Sequence, residues 1–330
     1  MLAAIFIASL ATLPVLLLVL IRHNRKGLKK LQGRHVVVSG GSKGIGREVA
    51  LKCFKAGAKV TILARDEHAL EQAKEYMIEQ SKLTDRSDDI ECFSVDVSGS
   101  YEALVDIFDQ AEKNLGPIDG LFNIVGRAIC SRFEESEVDD FNSMMSVNFF
   151  SAVNCSRAAV DKMINRKQGF IQLTSSMAGL MGIYGFTAYS SSKFALIGLA
   201  ESLAMELKPH NISLTVAFPP DTDTPGYEIE NLNKPIETKM ICESAGLWSA
   251  SKVADAIVED TLAGKFSSTV GAEGFMLRIL SSGAMRSNGI ISTLTEVFLM
   301  GPLRLISMVI IYHFDKIVNN CTNRRLTEKN

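Results

Sequence analysis

The chain has 330 residues and a formal net charge of −2, long enough for one large or two small buried cores and too evenly charged to point to a nucleic-acid partner. Its 47% hydrophobic and 22% charged residues are those of a globular protein tilted towards membrane. Cys53, Cys92, Cys130, Cys155, Cys242 and Cys321 are scattered with no C-x-x-C pair, and the five histidines stand apart from them. That argues against a disulfide framework and a metal site and fits a reducing compartment.

From Leu2 to Ile21 no residue is charged, and about 20 apolar residues cross the hydrocarbon core as a helix. Arg22, His23, Arg25, Lys26, Lys29 and Lys30 follow, and no Lys or Arg precedes. The positive-inside rule then places the rest of the chain on the cytoplasmic side. A cleaved signal peptide is the competing reading, but the charged n-region is missing and the basic cluster lies on the wrong side of the apolar run. Residues 1–22 are read as a transmembrane anchor, in which Pro14 is tolerated. Residues 23–33 are read as a basic linker, with Leu31–Arg34 the joint to the body.

Between residues 34 and 275 apolar runs alternate with helical stretches. The runs His35–Ser39, Lys59–Leu63, Ile90–Val95, Gly120–Ile124, Phe170–Thr174 and Ile212–Ala217 predict strands. Apolar strands separated by helices predict an α/β fold with a parallel sheet covered on both faces, in a single domain.

The first strand leads into Ser39-Gly40-Gly41-Ser42-Lys43-Gly44-Ile45-Gly46 and then a helix. Glycines at such a bend let the backbone approach a pyrophosphate, and the helix N-terminus supplies N–H groups and positive dipole. The second strand ends Leu63-Ala64-Arg65, with no acid among these residues to bind a ribose 2′-hydroxyl. Arg65 with Lys43 suits a 2′-phosphate, which predicts NADPH; as solvated surface charges they would carry no such meaning. Further on, Tyr189-Ser190-Ser191-Ser192-Lys193 is Y-x-x-x-K. On a helix its two ends share a face, so the ammonium is expected to lower the phenol pKa and make a usable acid/base. Ser175 and Ser176 end the fifth predicted strand, 14 and 13 residues before that tyrosine.

The G-x-x-x-G-x-G spacing of Gly40, Gly44 and Gly46, together with Tyr189 and Lys193, resembles the short-chain dehydrogenase/reductase family. Ser39 stands where that family has threonine. The resemblance implies a Rossmann-type doubly wound sheet and a cofactor site of Gly40, Ser42, Lys43, Gly44, Ile45, Gly46 and Arg65. It adds Asp96-Val97 at the adenine and Asn123 and Gly126 in Asn123-Ile124-Val125-Gly126, where Val125 replaces alanine. It adds Tyr189 and Lys193 at the nicotinamide ribose, and Pro219, Thr222 and Thr224 after the sixth strand, where Pro220 replaces glycine. It assigns the substrate oxygen to Tyr189 and a serine, Ser176 by spacing with Ser175 adjacent, and gives Asn148 the task of kinking a helix and holding a water on Lys193.

The C-terminal extension, residues 276–330, is apolar. Ile290 to Phe314 has only Glu296, Arg304 and His313 as ionisable groups, and Gly301-Pro302 is expected to break it into two pieces too short to span. A re-entrant or interfacial segment and a helix pair lying over the catalytic domain are both open. An anchored body with an apolar tail resembles the family's membrane-bound ketone reductases. This implies a long-chain keto-amine lipid as substrate at the endoplasmic reticulum membrane, facing the cytosol, with a steroid or retinoid as the alternative. A non-catalytic binding protein would usually have lost the tyrosine, lysine or serine; all are present. The family often pairs subunits through the tyrosine helix, which implies a homodimer or homotetramer.

Overall fold

The structure is a computed structural model that describes residues 31–243 and 246–328. The anchor read at 1–22, and most of the linker read at 23–33, lie outside the described residues. In chain order the elements are β1 (His35–Ser39), α1 (Gly44–Lys55), β2 (Lys59–Ala64), α2 (Glu67–Ser81), β3 (Ile90–Ser94), α3 (Tyr101–Leu115) and β4 (Ile118–Asn123). Then come α4 (Val138–Met144), a π-helical turn (Met145–Phe150), α5 (Ser151–Arg166), β5 (Gly169–Thr174), α6 (Thr187–Leu207), β6 (Ile212–Phe218) and β7 (Thr222–Asp223). The chain continues with α7 (Pro225–Leu232), α8 (Ile236–Cys242), β8 (Trp248–Ser249), α9 (Ala250–Leu262), β9 (Ser267–Thr269), α10 (Gly271–Ser281) and α11 (Ile290–Glu328).

Seven strands form one parallel sheet in the order β3-β2-β1-β4-β5-β6-β9. The inner strands are buried on both faces, so alternate side chains serve opposite cores. Val37 faces a core with Leu104 and Phe108 of α3, Ala159 of α5 and Leu196 of α6. Val36 and Val38 face a second core with Val49 and Phe54 of α1, Leu70 of α2 and Ile257 of α9. This is the doubly wound arrangement, and its strand order reverses between β1 and β4, where such sheets open a crevice at the strands' carboxyl ends.

The six predicted strands are present to within two residues at each end. The seventh, β9, is short and hydroxyl-rich, Ser267-Ser268-Thr269, with no apolar run to announce it. Nor is the stretch read as a joint free: Leu31 is fully buried in the second core and Gly33 N donates to Gly57 O at 2.8 Å.

The C-terminal extension departs most from expectation. Pro302 does not divide it; α11 is a single helix of 39 residues. A proline inside a helix removes one donor and costs about 3 kcal/mol, and ties near both ends of α11 offset this. Arg278 of α10 meets Glu296 at 2.5 Å, and Arg325 meets the fully buried Glu237 of α8 at 2.6 Å. Near the second tie Phe314, Ile317, Val318 and Cys321 pack on Ile241, Ile183 and Tyr184. The helix therefore lies along the body, while Ile290, Val297, Phe298, Leu305, Val309 and Tyr312 stand more than 60% exposed on its outer side.

Candidate active site

One cavity of about 450 Å³ opens at the carboxyl end of the sheet. Ile45 of α1, Ile124 and Gly126 after β4, and Pro219, Thr222 and Thr224 after β6 line one end. Ser176, Tyr189 and Lys193 line its middle. At the far end the wall is mainly apolar: Met276, Leu277 and Leu280 of α10 face Ile310, Ile311 and Phe314 of α11, with Glu273 and Arg304 the charged residues there.

The loop after β1 is shaped by its glycines. Gly40 has φ +76° and a Cβ there would meet Val125 N at 2.9 Å; one at Gly46 would lie 2.0 Å from Gly40 O. Gly44, with φ +53°, abuts the Thr224 side chain. No side chain caps the N-terminus of α1 and no acid stands in its first turn, so its amides are open to an anion. This cradle fits a dinucleotide pyrophosphate. At the end of β2, Arg65 is exposed, while Lys43 pairs with Asp66 at 3.2 Å. Asp66, one residue beyond the tripeptide read as acid-free, caps α2 by accepting from Ala69 N at 3.0 Å. That bond first, and the Lys43 contact second, hold its carboxyl below the ordinary range. Both partners are more than half exposed, so the pair is weak and Lys43 is free to exchange partners.

Asp96 is exposed and forms a turn with Ser98 N and Oγ, while Val97 is buried and its carbonyl accepts from Asn154. The Asn123 amide is engaged inside, donating to Ser156 Oγ at 3.3 Å and accepting from Ser39 Oγ at 3.5 Å. It joins β1, β4 and α5 beneath the crevice. Thr222 Oγ1 donates to Pro220 O, and Thr224 Oγ1 caps α7 through Tyr227 N.

The two serines differ in direction. Ser175 Oγ is buried and donates to Lys193 O at 2.8 Å. Ser176 Oγ accepts from Ala178 N at 3.1 Å and lines the cavity beside the Tyr189 phenol, whose ionised form it favours. Asn148 sits in the π-helical turn, 1% exposed. Its Oδ1 accepts from Arg127 N, and its Nδ2 donates to Arg127 O and to Ser192 Oγ at 2.9 Å. It thereby ties the loop after β4 to α6.

Lys193 Nζ donates to Thr174 O at 2.9 Å and lies 5.7 Å from the Tyr189 ring centre. Burial pushes its pKa down to about 7, because the charged form has lost its water. Burial likewise drives the Tyr189 phenol well above its ordinary value; the Ser176 hydrogen bond opposes this, and the charges of Glu230 and Asp221 add to it. The expected lowering of the phenol by a full ammonium is therefore not found here, since desolvation acts on both groups at once.

The sequence reading also missed a buried cluster beside the tyrosine. Lys234 Nζ lies 2.6 Å from Glu230 Oε1 and 3.9 Å from Asp221 Oδ2. Glu230 and Lys234 are four residues apart, the readable signal. Nothing in the sequence alone brought them to Tyr189.

A family model described as short chain dehydrogenase matches residues 34–234. A 3-dehydrosphinganine reductase of Danio rerio is 46% identical over 296 residues, 90% of this chain and 89% of that protein. A 3-ketodihydrosphingosine reductase of Mus musculus is 45% identical over 88% of this chain and 87% of its own. A 3-dehydrosphinganine reductase of Arabidopsis thaliana is 36% identical over 98% of this chain and 96% of its own. Among solved structures, an NAD+-bound xylitol dehydrogenase aligns with a TM-score of 0.63 and 26% identity, covering 71% of this chain and 93% of its own. The family match ends before α8 to α11, and α10 and α11 supply most of the cavity's far wall.

Proposed function

The chain belongs to the short-chain dehydrogenase family, an oxidoreductase built for a nicotinamide dinucleotide, and from that premise we propose that it reduces 3-ketosphinganine to sphinganine with NADPH. One observation carries the substrate class: Ser176, Tyr189 and Lys193 open into a cavity whose far wall is mainly apolar and is closed by α11. The relatives named as reductases of this keto-amine lipid span 90% or more of the chain, and the Arabidopsis thaliana relative, at 98%, includes α11.

When bound, NADPH supplies the hydride. The chain's own groups do the rest. The glycine loop and the open amides of α1 hold the pyrophosphate. Tyr189 gives its proton to the carbonyl oxygen, and the Ser176 hydroxyl donates a hydrogen bond to that oxygen as negative charge develops on it. Lys193, with a pKa of about 7, exchanges a proton at neutral pH and returns one to the phenolate. Asn148 and Ser175 act by position, fixing α6 against the loop after β4 and the end of β5.

The lipid chain runs along α10 and α11 in this reading. The ties at Glu296 and Arg325 are 29 residues apart, about 43 Å of helix, and both meet the body. A helix held this way lies in the membrane interface with its exposed apolar side in lipid. The enzyme thus draws its substrate from the cytosolic face of the endoplasmic reticulum membrane.

Purified protein with NADPH is expected to reduce 3-ketosphinganine in strong preference to a ketosteroid or retinal, read as loss of absorbance at 340 nm. A preference for steroid or retinal would overturn the assignment. The Arg65 guanidinium, exposed at the end of β2, is the fixed partner for a 2′-phosphate, with Lys43 joining from Asp66. Arg65→Ala is expected to raise the KM for NADPH roughly 10-fold, the worth of one charge-assisted contact, and to leave that for NADH within about twofold. Equal effects on both cofactors would remove Arg65 from this role.

A further inference from the structure

The same cavity contains charge that proton and hydride transfer do not use. Asp221 follows β6 and Glu230 lies on α7, and both line the cavity with Tyr227 and Phe186. Lys234 lies behind them, its side chain 1% exposed, over the rings of Tyr227 at 4.7 Å and Phe186 at 5.6 Å. Two carboxylates share this one ammonium, so the group carries one negative charge in excess. The neighbouring Cys242 thiol does not alter the count, since burial pushes its pKa up to about 12.

The ion pair is also incomplete. Glu230 Oε1 and Lys234 Nζ approach to 2.6 Å, but off the line of a hydrogen bond, and among the described residues neither of these buried atoms has a hydrogen-bond partner. An excess charge with unfilled hydrogen-bonding capacity, in a cluster whose side chains are only 1% to 25% exposed, is costly unless a ligand completes it. Whatever completes it is cationic, donates hydrogen bonds and sits close to the reacting carbonyl, because both acids line the cavity with Tyr189 and the Phe186 ring over which Lys234 lies packs against the Tyr189 ring at 5.3 Å.

We propose that Asp221 and Glu230 form a subsite for the ammonium of the substrate, one carbon from the carbonyl that Tyr189 protonates. This rests on the keto-amine reading above and deepens it. The acids fix which face of the ketone meets the cofactor, and Lys234 limits their excess to the single charge that one ammonium neutralises. The remaining cavity is mainly apolar towards α10 and α11, with Glu273, Ser281, Arg304 and Ser307 the polar residues there, so the ammonium and the hydrocarbon tail are drawn to opposite ends, and the carbonyl is centred on Tyr189.

The test compares kcat/KM for 3-ketosphinganine and for the same long-chain ketone with hydrogen in place of the amine, using the full chain and NADPH. The wild-type protein is expected to prefer the amine by roughly 10- to 100-fold, the range for a charge-assisted contact. Glu230→Gln and Asp221→Asn keep the shape of the side chains and remove one charge each, and either is expected to bring that preference to within about threefold of unity. Asp221→Asn leaves the Lys234–Glu230 contact in place, so it reads the subsite even if Glu230→Gln unfolds. A preference unchanged in Asp221→Asn, or a parallel fall with both ketones, overturns the subsite while leaving the keto-amine reading intact. Failure of the wild-type protein to reduce either ketone overturns the reading itself, and the subsite with it.

Discussion

Tyr189→Phe is expected to lower kcat by roughly 10²- to 10⁴-fold, the contribution of a positioned general acid, while the affinity for NADPH stays within about twofold. The phenol lies in the middle of the cavity, and its hydroxyl is the atom that the Ser176 hydroxyl meets. Phenylalanine fills nearly the same volume and keeps the tilted contact with the Phe186 ring, whose centre is 5.3 Å away. Ser176 Oγ still accepts from Ala178 N, so no buried acceptor is stranded and the melting temperature should move by less than about 3 °C. Single-turnover reduction followed at 340 nm, with NADPH affinity from fluorescence titration, separates chemistry from binding. Turnover near that of the wild-type protein would remove Tyr189 from the proton transfer. A loss of NADPH binding equal to the loss of rate would make it a cofactor ligand first.

What the sequence made legible here is what depends on short spacings. The strands could be read because a parallel sheet covered on both faces needs unbroken apolar runs such as Val36-Val37-Val38, and the phosphate loop because Gly40 and Gly46 stand where any side chain would strike backbone. Two features resisted. Pro302 marks a helix end by local rules, yet α11 runs through it because contacts from Arg278 and Glu237, far away in the chain, hold both of its ends. The acids Asp221 and Glu230 are ordinary surface residues by composition, and only the return of the chain after β6 carries them to Tyr189. The role of Ser175 was ambiguous for the opposite reason: two adjacent hydroxyls are identical in sequence, and the extended backbone at the end of β5 sends one to Lys193 O and the other to the phenol.

Lys193→Met is expected to do two things at once: lower kcat by roughly 10²-fold or more, and stabilise the protein at neutral pH. The second follows from burial. Lys193 is 3% exposed, and its pKa of about 7 lies well below the 10.5 of an unfolded chain. Between those two values the unfolded chain binds a proton that the folded one has lost, so stability rises with pH across that window. At and below about pH 7 both states carry the proton, and the full penalty of a buried ammonium is in force. Methionine, similar in length and without charge, has no such penalty. Against this stands the loss of the Lys193 hydrogen bond to Thr174 O, which leaves that carbonyl unpaired at a cost of about 1 kcal/mol. The net gain is expected to be about 1–3 kcal/mol at pH 7, a rise of several degrees in melting temperature, shrinking as the pH is raised towards 10. Melting curves of the two proteins at pH 6.5, 8 and 9.5 give the sign directly. A variant less stable than the wild-type protein at pH 6.5, or a difference that does not change with pH, would mean that Lys193 keeps its charge in the fold through a partner other than Thr174. An active variant would mean that the phenol needs no proton from it.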